Sequence, residues 1–196
     1  MSQLQQTPSQ TVGPFFAYGL TPTQYGYDFK SLFTPVLAQP HAKGEHIVVT
    51  GQVIDGAGNP VMDAIVEIMQ ANADGKPVTS IAQAGAEGFT GFGRCGTGTF
   101  PQSRYQFQTV KPGVAAVGEA PFINVCVTMR GLLVHTFTRI YFDDEAEANG
   151  KDAVLNSVPA ARRGTLIATR ETTGAGPVYR FDIRMQGDAE TVFFDL

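Results

Sequence analysis

The chain has 196 residues, with 18 acidic against 14 basic side chains and a formal charge of −4. No Lys/Arg block or basic stripe is present, which excludes a nucleic-acid surface of the ordinary electrostatic kind. No apolar run approaches the roughly 20 residues of a membrane-spanning helix, and the Gln/Ser-rich residues 1–10 lack the charged and apolar regions of a signal peptide, so a cytoplasmic address is expected.

Charged residues make up 16% of the chain, well below the roughly one quarter of an average soluble domain. Lysine is confined to Lys30, Lys43, Lys76, Lys111 and Lys151, and lysine is the residue that protein interfaces avoid most. This points to a surface partly buried against partners. A compact monomer coated with Ser, Thr and Gln stays open on composition alone.

Residues 1–45 carry Pro8, Pro14, Pro22, Pro35 and Pro40 with Phe15, Phe16, Tyr18, Tyr25, Tyr27, Phe29 and Phe33 between them. Such spacing leaves no room for a long helix or a central strand. The aromatics also argue against disorder, because rings of this size need a surface to bury on. The segment reads as an arm packed on its own domain or on a neighbouring chain, with residues 46–196 forming a β-sandwich domain.

The first predicted strand is His46–Ile54, rich in Val and Ile and closed by the turn Asp55-Gly56-Ala57-Gly58-Asn59. Ala64–Gln70 follows and ends at Asn72-Ala73-Asp74-Gly75. Residues 85–98 hold six glycines and read as an irregular loop. Arg104–Val110 alternates, with Tyr105, Phe107 and Thr109 on one face. Ile123–Arg130 and Leu132–Phe142 read as two strands joined tightly at Gly131. In the first of them Asn124, Cys126, Thr128 and Arg130 share a face opposite the apolar Ile123, Val125, Val127 and Met129. A short helix is expected near 143–149, with Asp144 and Glu147 at capping-box spacing and Gly150 as its stop. Thr165–Thr169, Val178–Met185 and Thr191–Phe194 complete the strands. Many short strands with glycine turns and little helical periodicity give a mostly β protein, expected as a two-sheet β-sandwich.

The three histidines, His41, His46 and His135, lack the close pairing of metal ligands. His135, with Leu133 and Phe137 as same-face neighbours, reads as a packed core histidine. Cys95 and Cys126 read as two reduced thiols.

Several runs then fall in a telling order: Thr11-Val12-Gly13-Pro14-Phe15, Gly51 to Gly56, Ile65 to Gly75, Gly91-Phe92-Gly93-Arg94, Tyr105 to Val110, Lys111-Pro112-Gly113, Pro121-Phe122-Ile123-Asn124, Thr138 to Asp144, Tyr179 to Arg184 and Glu190 to Asp195. This series resembles the intradiol ring-cleaving dioxygenases over nearly the whole chain. In the iron-bearing members a His-x-His pair and two tyrosines ligate ferric iron. Here Phe122 and Asn124 stand at the histidine positions, Val114-Ala115-Ala116 follows the Lys-Pro-Gly turn, and residues 75–100 hold no tyrosine. A phenyl ring offers a metal no lone pair, and an amide oxygen is a poor substitute for imidazole.

The resemblance therefore implies the iron-free chain of a two-chain enzyme, inactive by itself. It implies that Fe(III) is held by a homologous partner chain with the Tyr/Tyr/His/His site, that the pair forms a hetero-oligomer, and that protocatechuate and O2 are the substrates. It implicates Thr11, Gly13 and Pro14 as a pocket wall and Arg130 as the contact for the substrate carboxylate. No catalytic residue and no metal ligand is expected in this chain. A non-enzymatic β-sandwich binding module and a stand-alone homo-oligomeric enzyme remain as alternatives.

Overall fold

The computed structural model describes residues 8–174 and 176–195. The arm holds one short helix, α1 (Pro14–Leu20), and a 3-10 turn over Pro22–Tyr25. Past that turn it lies along its own domain. Gln24 Nε2 donates to the Gly96 carbonyl at 2.6 Å, Phe33 stacks edge-on against Phe92 at 4.5 Å, and Leu37 is fully buried. The start of the arm differs, with Phe15 86% exposed.

Nine strands follow among the described residues: β1 (His46–Ile54), β2 (Ile65–Met69), β3 (Phe92–Gly96), β4 (Arg104–Val110), β5 (Ile123–Thr128), β6 (Thr136–Phe142), β7 (Ile167–Thr173), β8 (Gly176–Arg180) and β9 (Ile183–Arg184). They pair in the order β3-β2-β5-β6-β7-β8-β1-β4, with β9 also on β1. The expected sandwich is thus one continuous mixed sheet folded on itself. Its two halves are joined by a short parallel pairing of Tyr141 with Ile167 and Phe142 with Ala168. The main core takes Val49, Phe107 and Tyr179 from one half and Ile68, Val125 and Ile140 from the other, and a smaller cluster gathers Tyr141, Leu155 and Leu166. Alternation explains which residues enter it. Tyr105, Phe107 and Thr109 are buried, as are Ile123, Val125 and Val127.

Several predicted boundaries move. Residues 81–96, expected within and before a loop, hold α2 (Ile81–Glu87), capped by Ser80 and closed by Gly88 at φ 64°, and then β3. The glycines of β3 and its turn make room for the arm instead of breaking the strand. A Cβ on Gly93 would collide with Leu37, and one on Gly98 with Tyr25 and the Met62 carbonyl. Strands β5 and β6 are shorter than expected, ending at Thr128 and starting at Thr136. A turn through Gly131 (φ 86°) and the exposed Leu133 and Val134 lies between them.

The expected helix near 143–149 is a 3-10 turn over Asp143–Glu145 running into α3 (Ala146–Asn149), and α4 (Ala153–Ser157) follows. There is no capping box at its start, because Asp144 accepts instead from Lys111, Arg170 and Tyr179. The Val178–Met185 strand is divided into β8 and β9 where Phe181 O accepts from the Tyr105 hydroxyl. Thr191–Phe194 makes only an isolated bridge, Phe194 to Phe137.

Candidate functional site

Two segments distant in sequence meet at one end of the sheet. The Thr11 hydroxyl donates to the Met129 carbonyl at 3.1 Å across 118 residues of chain, tying the loop before α1 to the β5–β6 turn. Pro14 occupies the first turn of α1, where its missing N–H and fixed φ suit the helix start. Gly13 has an ordinary φ of −95°, and a Cβ there would meet nothing within 4 Å. Nothing among the described residues demands a glycine at that place.

Beside these residues opens a cleft of about 200 Å³, lined by Pro14, Ala17, Tyr18, Tyr25, Asp63 and Arg130 among others. Tyr18 and Tyr25 stack edge-on at 4.8 Å. Burial raises the Tyr25 hydroxyl above its ordinary pKa, with Tyr18 adding to the effect and a backbone hydrogen bond at Gly98 offsetting part of it. Tyr25 is therefore a neutral hydrogen-bonding group at pH 7. The structure thus brings Thr11, Gly13, Pro14 and Arg130 to one place.

Arg130 has a 61% exposed side chain whose Nε lies 3.4 Å from Asp63 Oδ1. Asp63 was not legible as a site residue. Its only sequence signal is a lone acid between Val61-Met62 and Ala64-Ile65, a pattern that also suits a strand entrance.

A second concavity, of about 390 Å³, lies on the outer face of β2, β3, β5 and β6. Met69, Phe92, Cys126, His135 and Phe137 line it. His135 is exposed and stands edge-on to Phe137 at 4.6 Å. It is therefore not the core histidine expected, because the strand begins only after it. Cys126 and Cys95 are both free thiols, each pushed up to about 11 by burial.

The positions matched to iron ligands do not suit a metal. The Arg139 guanidinium lies over the Phe122 ring at 4.0 Å, and Arg139 NH1 is 3.4 Å from the Tyr141 hydroxyl. A metal ion placed there would face an arginine and a phenyl ring instead of donors. Among the described residues no three His, Cys, Asp or Glu side chains are grouped as metal ligands.

Around the Lys-Pro-Gly turn the electrostatics are of another kind. Lys111 Nζ lies 2.9 Å from Asp144 and 2.6 Å from Glu145, and Arg170 bridges Asp144 at 2.8 Å and Glu45 at 2.7 Å. The Tyr179 hydroxyl donates to Asp144 at 2.9 Å. Burial works against the Asp144 charge, but hydrogen bonds from Lys111, Tyr179 and Arg170 outweigh it and hold the carboxyl below its usual value. Burial likewise opposes the Lys111 charge, and its bonds to Glu145 and Asp144 raise the amine well above the ordinary range. Tyr179 is pushed up to about 12, first by burial and then by Asp144.

Comparison with known proteins supplies the remaining facts. A family model described as "Dioxygenase" matches residues 33–133. The protocatechuate 3,4-dioxygenase alpha chain of Burkholderia cepacia is 60% identical over 197 residues, covering 100% of both chains. The protocatechuate 3,4-dioxygenase beta chain of the same organism is 35% identical over 157 residues, covering 74% of this chain and 66% of its own. A solved intradiol ring-cleavage dioxygenase from Tetranychus urticae superposes with a TM-score of 0.60 at 15% identity, covering 95% of this chain and all of the other, and so shares the fold.

Proposed function

The chain belongs to the intradiol dioxygenase family, and on that premise we propose that it is the iron-free, pocket-forming chain of a protocatechuate 3,4-dioxygenase. The reaction is the O2-dependent opening of the ring between its two hydroxyl-bearing carbons, giving a carboxy-muconate. Ferric iron, the metal of the family, belongs in this reading to a homologous partner chain, because the matched positions here are Phe122 beneath Arg139 and Asn124. No redox step runs through this chain's own residues. Their work is to shape the pocket and hold the part of the substrate that does not react.

The observation that carries the reading is the joining of Gly13-Pro14 to Arg130 through the Thr11–Met129 bond. Pro14 offers an apolar wall to a planar ring, and the open space beside Gly13 lets that ring lie against the backbone. Protocatechuate carries a carboxylate that ring opening does not use. The guanidinium of Arg130 is always charged and matches a carboxylate in a two-bond fork.

The exposed start of the arm and the apolar face of β2, β3, β5 and β6 are the surfaces assigned to the partner, since large apolar patches of this kind mark protein contacts. Residues 1–45 act in this arrangement as an arm on the 46–196 domain. The two unpaired thiols suit a reducing, cytoplasmic address.

Arg130→Ala in the assembled two-chain enzyme tests the assignment. A charged hydrogen bond is worth about 1.5–3 kcal/mol, so kcat/KM for protocatechuate should fall on the order of tenfold to a hundredfold, mainly through KM. Catechol, which lacks the carboxylate, should be turned over almost as before, with iron content unchanged. Equal losses for both substrates would show that Arg130 serves the structure and not the pocket.

A further inference from the structure

Asp63 stands out among the buried charges of the chain. Its side chain is 6% exposed, and neither carboxylate oxygen makes a hydrogen bond among the described residues. Buried carboxylates are normally saturated with donors, because an ionised carboxylate presents about four lone-pair sites and its desolvation is expensive. Among the described residues the cation paired with Asp63 is Arg130, with Nε at 3.4 Å, which is longer than the roughly 2.7–2.9 Å of a tight charged pair. The cleft that Asp63 shares with Arg130 is otherwise walled by apolar and aromatic residues, among them Pro14, Ala17, Tyr18 and Tyr25.

Arg130 is the complementary case. It extends from a turn at Gly131, well exposed, with no hydrogen bond from its two terminal nitrogens among the described residues, and its closest approach to Asp63 is through Nε. The contact to Asp63 therefore engages one edge of the guanidinium, through Nε. The other edge, the pair of terminal amino groups, donates no hydrogen bond to the described residues, and that edge can form a two-pronged grip on a carboxylate.

Resting on the pocket reading above, we propose that Asp63 is a positioning residue that holds Arg130 by its Nε edge and presents the open fork to a carboxylate-bearing aromatic ligand. Without Asp63 the long side chain is free to wander, and a ligand that uses it must then order it on binding. Immobilising a side chain of this kind costs about 0.5–1.5 kcal/mol, so loss of the tether reads as a rise of roughly two- to tenfold in KM. The opposite possibility is that Asp63 competes with the ligand for Arg130. That predicts the reverse sign, since removing the competitor would lower KM. Asp63 is buried in the wall while Arg130 is mostly outside it, so the two carboxylates meet different edges of the guanidinium and need not exclude one another.

The test uses the assembled enzyme with Asp63→Ala, Asp63→Asn, Arg130→Ala and the Asp63→Ala/Arg130→Ala pair. KM and kcat are measured for protocatechuate and catechol in each. Asp63→Ala should raise KM for protocatechuate roughly two- to tenfold, with kcat and the catechol constants near those of the parent. Asp63→Asn keeps an oxygen acceptor for Nε and should recover part of the loss. In the Arg130→Ala background, Asp63→Ala should add nothing, because there is no guanidinium left to position.

A lowered KM for protocatechuate in Asp63→Ala would overturn positioning in favour of competition. Equal losses for both substrates, or additive losses in the double variant, would reduce Asp63 to a structural role. If Arg130→Ala itself fails to discriminate the two substrates, the pocket reading falls and this inference with it. If Arg130→Ala discriminates and Asp63→Ala does not, the inference alone is wrong.

Discussion

Two groups of charges in this molecule meet burial in opposite ways. Around Lys111 the central charges, Lys111, Asp144 and Arg170, each have at least two partners. Asp144 alone receives bonds from Lys111, Arg170 and Tyr179. At the cleft, Asp63 is more deeply buried than Asp144 and has a single long contact to one arginine. The first arrangement repays desolvation inside the chain and clamps the Lys-Pro-Gly turn to the end of β6. The second leaves acceptor and donor capacity unspent beside an open pocket. Unmet polar capacity next to a cavity is a mark of a binding surface, because a folded chain without such a task would satisfy or discard the charge.

The contrast predicts unequal responses to mutation. Asp144→Ala would leave Lys111 and Arg170 short of their shared acceptor. Breaking a partly buried network of this kind is strongly destabilising, and the melting temperature of the assembly should fall on the order of 10 °C. A drop of only a degree or two in scanning calorimetry would show the cluster to be a solvated surface group and remove the contrast.

Acid should act on the same cluster, though less abruptly. The Asp144 carboxyl is held below its unfolded value, about 3.9, so its contribution is present above that pH and is lost as pH falls through the lower folded value. Melting temperature should therefore decline from about pH 5 downwards, and the decline should be shallower in Asp144→Asn. Identical acid profiles for parent and variant would contradict the assignment of that carboxyl.

The smallest expected effect is at the cleft. Asp63→Asn removes a poorly compensated buried charge without changing shape, so the melting temperature should stay within about 3 °C of the parent or rise. A loss as large as that of Asp144→Ala would mean that Asp63 is a structural anchor, and the two regions would not differ in kind.

Local pattern revealed much of the fold. Strand β1 follows from its Val and Ile content and closing turn, and β4 from its alternation, since a period of two assigns each side chain to the core or the outside. The same rule separated Asn124, Cys126 and Thr128 from Ile123, Val125 and Val127, but Arg130 lies in the turn beyond β5, which ends at Thr128. The unsuitability of Phe122 and Asn124 as metal ligands is also a matter of residue chemistry, readable once the family resemblance is seen. Helix α2 and strand β3 escape local pattern because glycine ordinarily breaks regular structure, whereas Gly93 and Gly98 are small to admit Leu37 and Tyr25.

Other features depend on contacts that no periodicity encodes. Thr11 reaches Met129 over 118 residues, and Asp63 enters the wall beside Arg130 from the approach to a different strand. Alternation and turn chemistry act over a few residues, so they assign strands and faces. Which loops meet at the end of the sheet depends on how its two halves close over their shared core, and only that closure placed a buried carboxylate against the open arginine of the pocket.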